Sequence, residues 1–496
     1  MEKITTETRK RNMKTYTIHK MLTADLLFYY AVKFLFLTKA KGLTASDIVI
    51  ASSFLGLFKV IFQIPTTAII EKFGHKKSLM FADIFQALST ICIMMSDSLP
   101  ILIIANMIGA MGNAVKEVSE AGLLNLSIPA SENKGKIYSS IEGKGLGNYY
   151  YFSAVSAIIS GLLFELNPYI PMIICTTISF IAARVTTNFT DIQKPREITN
   201  KTSNTSMFAK YKKYFKDLKL AFSFIFTSKR LKSLMIYSAI MYGMIMVMGT
   251  YEMGLLSEVG MSATATGLIY AIMQVVAGIA SKKQESFHNK FRKRSLTIIG
   301  VTYTTAILIA GLISATILPQ LCVVTILILT YSIRYADTGF YYVLIKKYIT
   351  NFTNEEVANK VYSANGLVTG IGNALICALG SVIVAHNSII NSMIIFGILF
   401  FVIMILVLTY MKNRVGLMPN EYEKKDGVVS IILKDKFGKK EGIALISEED
   451  LPIVINEKYS WVLHKSHNKI SVVANTPEGR IHLEDIIMPR EENHKI

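Results

Sequence analysis

Residues 63–79 read QIPTTAIIEKFGHKKSL and join the end of one long apolar run to the beginning of the next. Pro65 lies in the apolar part of this segment. The polar turn between the two runs contains Glu71, Gly74, His75, Lys76 and Lys77. Such a turn places cations beside the end of a helix, and its acid can bond backbone donors or a partner cation. The segment therefore predicts two apolar helices joined by a short basic turn.

The composition of the whole chain predicts a membrane protein. Of the 496 residues, 51% are hydrophobic and 18% are charged, whereas soluble domains carry about 25% charged residues. An apolar run of about 20 residues crosses the hydrocarbon core as a helix. Only helices and closed barrels satisfy their backbone in lipid, and these runs do not alternate as barrel strands do. We therefore expect an all-α polytopic membrane protein.

Twelve apolar runs are long enough to cross a membrane. They cover residues 22–38, 46–70, 77–95, 99–126, 137–164, 169–187, 232–256, 263–281, 295–316, 319–345, 358–385 and 389–411. We expect two six-helix bundles with flanking polar segments. The predicted parts are an N-terminus at 1–20, bundles at 21–187 and 232–412, a linker at 188–231 and a β-rich tail domain at 413–496. Two halves of related topology are a common transporter plan.

The distribution of Lys and Arg predicts the orientation in the membrane. Alternate loops are basic, namely residues 1–20, 72–77, 134–136, 188–231, 282–294 and 346–347. The opposite loops are short and poor in cations, except the first, which carries Lys39 and Lys41. The positive-inside rule then places both termini, the linker and the tail in the cytoplasm. The net charge of +18 thus indicates topology and not a nucleic-acid partner. Usage rich in Ile, Lys and Asn favours a bacterium, and hence its inner (plasma) membrane.

Cofactor-dependent and ATP-driven classes have no support in the sequence. Cys92, Cys175, Cys322 and Cys377 each fall within an apolar run, and no two form a close-spaced motif. This pattern argues against disulfides and against a metal site. No GxxxxGK[ST] loop occurs, so neither an ATP-driven pump nor an enzyme is expected. We predict no cofactor.

The segment 63–79 resembles the signature loop of the major facilitator superfamily, in the branch that reads E-I-P-T-G-x-x-A-D-x-x-G-R-K-x-S-L. The matching residues are Ile64, Pro65, Thr66, Gly74, Lys76, Ser78 and Leu79. Glu71 stands for the Asp and His75 for the Arg, while Gln63 and Thr67 depart from the pattern. The resemblance extends over about residues 20–412. It implies a twelve-helix transporter of the multidrug or solute type.

Two further segments carry the same resemblance. Residues 112–128 read GNAVKEVSEAGLLNLSI, which is similar to a fourth-span motif of that branch, with Glu120 in place of an Asp. Gly143 and Lys144 are similar to a Gly-Arg pair in the fifth span. The resemblance implies a cytoplasmic gating motif. Its members here are Pro65, Glu71, Gly74, His75, Lys76, Lys77 and Lys144.

Charged residues inside the apolar runs are the candidates for the substrate and proton pathway. A charge near the bilayer centre costs about 2.5–3.5 kcal/mol on insertion scales, so it is retained where it pairs or lines water. The candidates are Asp25, Lys33, Lys59, Lys116, Glu117, Glu120, Glu252, Arg334 and Asp337. The resemblance implies that helices 1, 4, 7 and 10 line the central cavity, and most of these charges lie on them.

Spacing within the helices suggests two pairs among these charges. Glu117 and Glu120 lie three residues apart and share a helix face, where two carboxylates can hold a common proton. Arg334 and Asp337 have the same spacing and could pair within their helix. Asp25 lies near the end of its span, where cytoplasmic gating is as good an explanation as solute contact. Glu252 could equally lie at the outer interface.

The tail differs from the rest of the chain. Apolar segments at 428–433 and 442–446 predict a hairpin, residues 447–450 a short helical turn, and Trp461, 470–473 and 481–483 further strands. The strings ALISEEDLPIVINEKYSW and GRIHLEDIIM resemble the small DNA-binding modules that precede HNH endonuclease cores. From residue 413 onward, 13 Lys and Arg face 14 Asp and Glu, so nonspecific nucleic-acid binding is not expected. We interpret the tail as a regulatory or protein-binding appendage.

Two functions remain open at this point. The first is a secondary transporter that exports a small solute or drug by alternating access, with proton coupling through Glu117, Glu120 or Asp337. The second is a transporter-like membrane sensor that signals to a protein partner through the tail. Solute flux in sealed vesicles separates the two.

Overall fold

The structure is a computed structural model. It describes residues 6–129, 134–190, 216, 219, 222–223, 225–226, 228–291, 294–351, 355–411, 420, 422–425, 427–434, 440–455, 459–466, 469–476 and 479–488. The predicted linker at 188–231 and the junction at 412–419 lie largely outside these residues. So do the side chains of Pro65 and Glu71.

Long helices make up most of the described chain. They are α1 (Thr6–Thr23), α2 (Lys33–Leu35) with a π-helical turn (Phe36–Ala40), α3 (Ala45–Met94), α4 (Leu99–Ser127), α5 (Lys134–Leu166), α6 (Tyr169–Thr186), α7 (Lys229–Glu258), α8 (Ala263–Phe291), α9 (Ser295–Ser314), α10 (Gln320–Asn351), α11 (Glu355–Ala385) and α12 (Ile389–Met411). Their buried side chains are mainly aliphatic and aromatic, as the apolar runs predict.

The basic turn around Gly74 lies inside α3, which spans Ala45–Met94 and contains both predicted helices. Gly74 has φ 78° and ψ 165°, so the helix is sharply kinked there. This region of backbone space is open almost only to glycine, because a Cβ would clash. The segment that the sequence predicts as a turn is therefore a break that glycine makes possible.

We expect Gly74→Ala to destabilise the protein by about 1–3 kcal/mol, since alanine must either adopt a strained conformation or straighten the kink. The melting temperature of the purified full chain in detergent measures this loss. Gly143→Ala in α5 is the matched control, because an added Cβ there meets no atom within 4 Å. Equal melting temperatures for the two variants would contradict the role of the kink.

The first predicted span, 22–38, is not a continuous helix, and this expectation was wrong. α1 begins well before it at Thr6 and ends at Thr23, and helical structure resumes only at Lys33. Phe28, in the unwound segment, has φ 66°. Non-helical backbone is tolerated at membrane depth only where protein groups satisfy it. Here the Ser160 hydroxyl donates to the Phe28 carbonyl at 2.6 Å, and the Lys116 ammonium donates to the Thr23 carbonyl.

The predicted number of twelve membrane-spanning helices is not confirmed. Among the described residues, ten helices are long and apolar enough to cross a membrane. The two other predicted spans are the broken one at 22–38 and the one at 46–70. The second forms the first part of α3. A mostly helical membrane protein is nevertheless confirmed.

The two halves of the chain contact each other near the ends of the helices that carry the short loops, which we call the short-loop end. Between α3 and α11, the hydroxyls of Ser46 and Ser381 lie 2.8 Å apart, and the Asn373 amide donates to the Ser52 carbonyl at 3.0 Å. Between α5 and α8, a Cβ on Gly267 would lie 2.4 Å from the Ala157 carbonyl oxygen. The backbones therefore touch at this end, and the two halves are closed there.

The tail forms two three-stranded antiparallel sheets. Their strands are β1 (Tyr422–Lys425), β2 (Val428–Lys434), β3 (Lys440–Ser447), β4 (Trp461–Ser466), β5 (Lys469–Thr476) and β6 (Gly479–His482), with short helices at Glu448–Asp450, α13 (Leu451–Val454) and α14 (Leu483–Ile487). In β2 and β3, Val429 faces Ile446 across the ladder and Ile431 faces Ala444. These side chains share one core with Trp461. The predicted β-rich tail domain is confirmed.

Candidate functional site

A buried histidine in α1 lies between two carboxylates. The Nε2 atom of His19 is 3.0 Å from Oδ2 of Asp83 in α3, and its Nδ1 atom is 3.1 Å from Oε1 of Glu120 in α4. The imidazole is fully buried. Because a histidine donates from both nitrogens only when it is protonated, this geometry favours an imidazolium that bridges the two acids. Thr186 of α6 also donates to Asp83, at 2.9 Å.

The same cluster continues through Lys20 to α5. The Lys20 ammonium donates to Oε2 of Glu120 at 2.8 Å and lies 3.6 Å from Oε1 of Glu142. The Tyr16 hydroxyl donates to Glu142. Three carboxylates thus face two cations, and the surplus negative charge favours retention of the proton on His19. We call Tyr16, His19, Lys20, Asp83, Glu120 and Glu142 the histidine cluster. It connects α1, α3, α4 and α5.

A small cavity of ≈ 20 Å³ adjoins the break in the first span. Asp25 of the unwound segment and Lys116 of α4 both line it, together with Asp83 of the histidine cluster. The Lys116 ammonium donates to the carbonyl of Thr23, the last residue of α1. A cation at the C-terminal end of a helix is stabilised by the helix dipole. Lys116 is thus buried beside the end of α1 instead of reaching toward lipid.

Glu117 and Glu120 do not share a partner, contrary to the interpretation from their spacing. Glu117 accepts from the Lys59 ammonium at 2.6 Å, and this pair is well exposed. Glu120 points into the histidine cluster and is 2% exposed. Because each carboxylate pairs with a different cation, the two negative charges are neutralised separately. The geometry gives no common proton between the two.

Arg334 and Asp337 also have separate partners, so the expected pair within α10 is replaced by contacts between helices. The Nη1 atom of Arg334 donates to Glu252 of α7. Asp337 accepts from the Thr302 hydroxyl of α9 at 2.7 Å. Arg334 is fully buried and Glu252 is 2% exposed, so Glu252 does not lie at the outer surface. The guanidinium carbon lies 4.5 Å from the ring centroid of Tyr331.

Lys33 and the gating motif lie outside the histidine cluster and the pair of Arg334 and Glu252. Lys33 lies beside Tyr30, with its ammonium 5.8 Å from the ring centroid. Of the gating motif, Gly74 forms the kink, and His75 packs against Gly122 of α4. Lys77 and Lys144 are exposed. The structure therefore brings Asp25, Lys116 and Glu120 together around α1 and leaves the basic turn at the end of the bundle.

Four members of the histidine cluster were missed from the sequence, namely Tyr16, His19, Lys20 and Asp83. The first three lie before the predicted first span, and Asp83 lies within the apolar run predicted as the third span. A signal was present, because Asn12, Tyr16, His19 and Thr23 recur every three or four residues and are all buried. A polar stripe at helical spacing predicts a helix that packs its polar face inward.

The comparisons with known proteins all indicate membrane transporters. The model of the Major Facilitator Superfamily matches residues 21–336, well over half of the chain. The uncharacterized MFS-type transporter YxaM of Bacillus subtilis (strain 168) is 22% identical over 324 residues, which is 65% of this chain and 76% of that protein. The resemblance of the tail to DNA-binding modules is not supported by these matches.

Solved transporter structures have a similar fold. The nucleoside transporter NupG aligns with a TM-score of 0.59 and 13% identity, over 82% of this chain and 99% of that chain. The D-xylose-proton symporter aligns with a TM-score of 0.57 and 12% identity, over 82% and 97%. An auto-inhibited POT family peptide transporter aligns with a TM-score of 0.61 and 12% identity, over 82% and 97%. At these identities the likeness concerns the fold alone.

Proposed function

We propose that this chain, which belongs to the Major Facilitator Superfamily of membrane transporters, moves a small solute by alternating access in exchange for protons. The observation that carries the proposal is the buried His19, whose two ring nitrogens face Asp83 and Glu120. This arrangement holds a proton inside the membrane protein at a defined place. Solute export is the direction that the resemblance to multidrug and solute transporters implies.

The position of the histidine cluster supports coupling between proton release from His19 and movement of the surrounding helices. Loss of the proton from His19 would leave the Asp83 and Glu120 carboxylates facing each other without the cation between them, in a buried setting where repulsion is strong. The helices that carry them would then be pushed apart. Asp83 also lines the cavity beside Asp25 and Lys116. A shift of Asp83 after the loss of the proton would therefore affect the backbone at the break in the first span.

The closed short-loop end supports alternating access. In this arrangement the halves touch between α3 and α11 and between α5 and α8. Under the predicted orientation this end faces outward, so the conformation is closed to the outside. Transport then requires the same contacts to open, as in transporters whose two halves rock around a central site.

Flux into sealed vesicles tests the proposal. Purified full-length protein in proteoliposomes, with an imposed pH gradient, should accumulate a solute from a screened mixture and move protons in the opposite direction. A protonophore should abolish the accumulation. Solute movement that does not depend on the pH gradient would overturn proton coupling. No movement of any solute would favour the alternative function of a transporter-like membrane sensor.

The orientation has its own test, which rests on the distribution of cations. Single cysteines at Ser203 in the linker and Asn475 in the tail should react with a membrane-impermeant maleimide only from the cytoplasmic side of inner-membrane vesicles. A cysteine at Ser98 should react only from outside, because it lies in a cation-poor loop. Labelling of Ser203→Cys from outside would contradict the predicted topology.

A further inference from the structure

The buried pair of Arg334 in α10 and Glu252 in α7 makes one hydrogen bond and leaves other polar atoms of both side chains unbonded. Arg334 contacts Glu252 through Nη1 alone. Among the residues that the structure describes, no partner lies within hydrogen-bond distance of Nε or Nη2 of Arg334, or of Oε2 of Glu252. Both side chains are almost completely buried. Buried charged groups are costly to leave unbonded, so a pair that served stability alone would be expected to use these atoms.

The free atoms of Arg334 have a specific geometry. The Nε–H and Nη2–H bonds point in the same direction from the planar guanidinium and form the edge that binds a carboxylate with two parallel hydrogen bonds. The contact with Glu252 leaves this edge without a hydrogen-bond partner among the described residues, and the ring of Tyr331 lies 4.5 Å from the guanidinium carbon. The guanidinium is therefore held through Nη1 and the ring of Tyr331, and its Nε and Nη2 donors remain available for hydrogen bonds.

The surroundings suit a small organic anion. Arg334 lies fourteen residues after Gln320, which is about 21 Å along α10 and hence at mid-membrane depth. The side chains of Tyr303 and Tyr335 lie close to the pair, and the Tyr331 hydroxyl donates to the backbone carbonyl of Glu252 at 3.1 Å. The ring of Tyr335 meets that of Tyr270 of α8 at 6.2 Å, edge to face. Aromatic walls around a few polar groups are typical of small-molecule sites.

We propose that Arg334 binds the carboxylate of the transported solute through Nε and Nη2, while Oε2 of Glu252 accepts a hydrogen bond from an N–H or O–H group of the same solute. This inference rests on the proposed function and names its substrate class. A carboxylate matches the single cation, whereas a phosphate carries up to two negative charges and would be repelled by Glu252.

Ligand-induced stabilisation of the purified full chain tests the assignment. The probes are acetate, benzoate and hydrocinnamate, each beside its primary amide, which keeps the shape and removes the charge. We expect at least one carboxylate to raise the melting temperature at millimolar concentration and its amide to have no effect. Failure of all three carboxylates, or equal effects of the amides, would overturn the proposal.

Two substitutions should move the affinity in opposite directions. Arg334→Lys keeps the positive charge but removes the two-bond edge, so the carboxylate should bind about tenfold more weakly or worse. Glu252→Gln removes the neighbouring negative charge, so the same carboxylate should bind more tightly. Thr325→Ala on the exposed face of α10 is the control. A purely structural pair would lose stability in both variants without these opposite changes in affinity, and that result would contradict the site.

Failure of the carboxylate site and failure of the proposed transport function would give different experimental results. Proton-driven flux of a neutral or cationic solute, without carboxylate binding, would remove the site and leave proton-coupled transport intact. Carboxylate binding that depends on Arg334, without flux in sealed vesicles, would leave the site intact and remove transport.

Discussion

Glu120→Gln is expected to abolish solute accumulation driven by a pH gradient while the protein still folds. The substitution keeps the shape of the side chain, and the amide oxygen can still accept from Lys20, whereas the amide NH2 replaces the oxygen that accepts from Thr23. It removes one of the two carboxylates that hold the proton on His19. His19 and Lys20 each keep another acid, Asp83 and Glu142, so neither cation is left buried alone. Expression and melting temperature should therefore stay close to those of the unmodified chain.

The measurement is flux in proteoliposomes under two regimes. With a pH gradient, Glu120→Gln should show no accumulation. In counterflow, where solute exchanges for solute without net proton movement, part of the rate should survive. Glu7→Gln on the exposed beginning of α1 makes the same chemical change outside the cluster and should have no effect. Normal pH-driven accumulation in Glu120→Gln would exclude this acid from coupling and make Asp337 the next candidate.

A disulfide between Ser46→Cys and Ser381→Cys is expected to stop transport completely, and a reductant should restore it. The two hydroxyl oxygens lie 2.8 Å apart, so sulfur atoms in their place come within bonding reach after a small adjustment. The bond would join α3 to α11 at the short-loop end and hold the halves closed there. If transport requires this end to open, the oxidised protein cannot complete a cycle.

The chain offers a matched control within one half. Thr90 of α3 and Thr176 of α6 also have hydroxyl oxygens 2.8 Å apart. Thr90→Cys with Thr176→Cys should therefore form a similar cross-link that does not restrict movement of one half relative to the other. Both experiments use Cys322→Ser, because Cys322 is the exposed native cysteine. Mass spectrometry reports the cross-link and vesicle flux reports transport. Full transport by the oxidised Ser46→Cys, Ser381→Cys protein would contradict alternating access through this contact.

Several features could be predicted from the sequence because they depend on short stretches of chain. Insertion of a helix in a membrane depends on the apolar content of about 20 neighbouring residues, which can be counted directly in the sequence. Gly74 could be placed in a turn from the polar residues around it. The short apolar segments at 428–433 and 442–446, with polar residues between them, predicted the hairpin of β2 and β3. The family could be recognised from the segment 63–79.

Partners of the buried charges could not be predicted, because they lie far apart in sequence. Lys20 and Glu120 are separated by 100 positions, and Arg334 and Glu252 by 82. Spacing along one helix suggested Glu117 with Glu120 and Arg334 with Asp337. In a packed bundle, however, a neighbouring helix offers a partner of opposite charge at hydrogen-bond distance, and a buried charge gains more from that contact.

The break in the first span was decided by tertiary structure in the same way. Residues 22–38 are apolar enough for a helix, and nothing local forbids one. The unwound backbone is stable because Ser160 of α5 and Lys116 of α4 bond its free carbonyls. The sequence alone therefore indicated ten of the helices that are apolar enough to cross a membrane, and the turn at Gly74. The packing of helices against one another determined which charges meet, where the backbone could unwind, and hence where the candidate proton and solute sites lie.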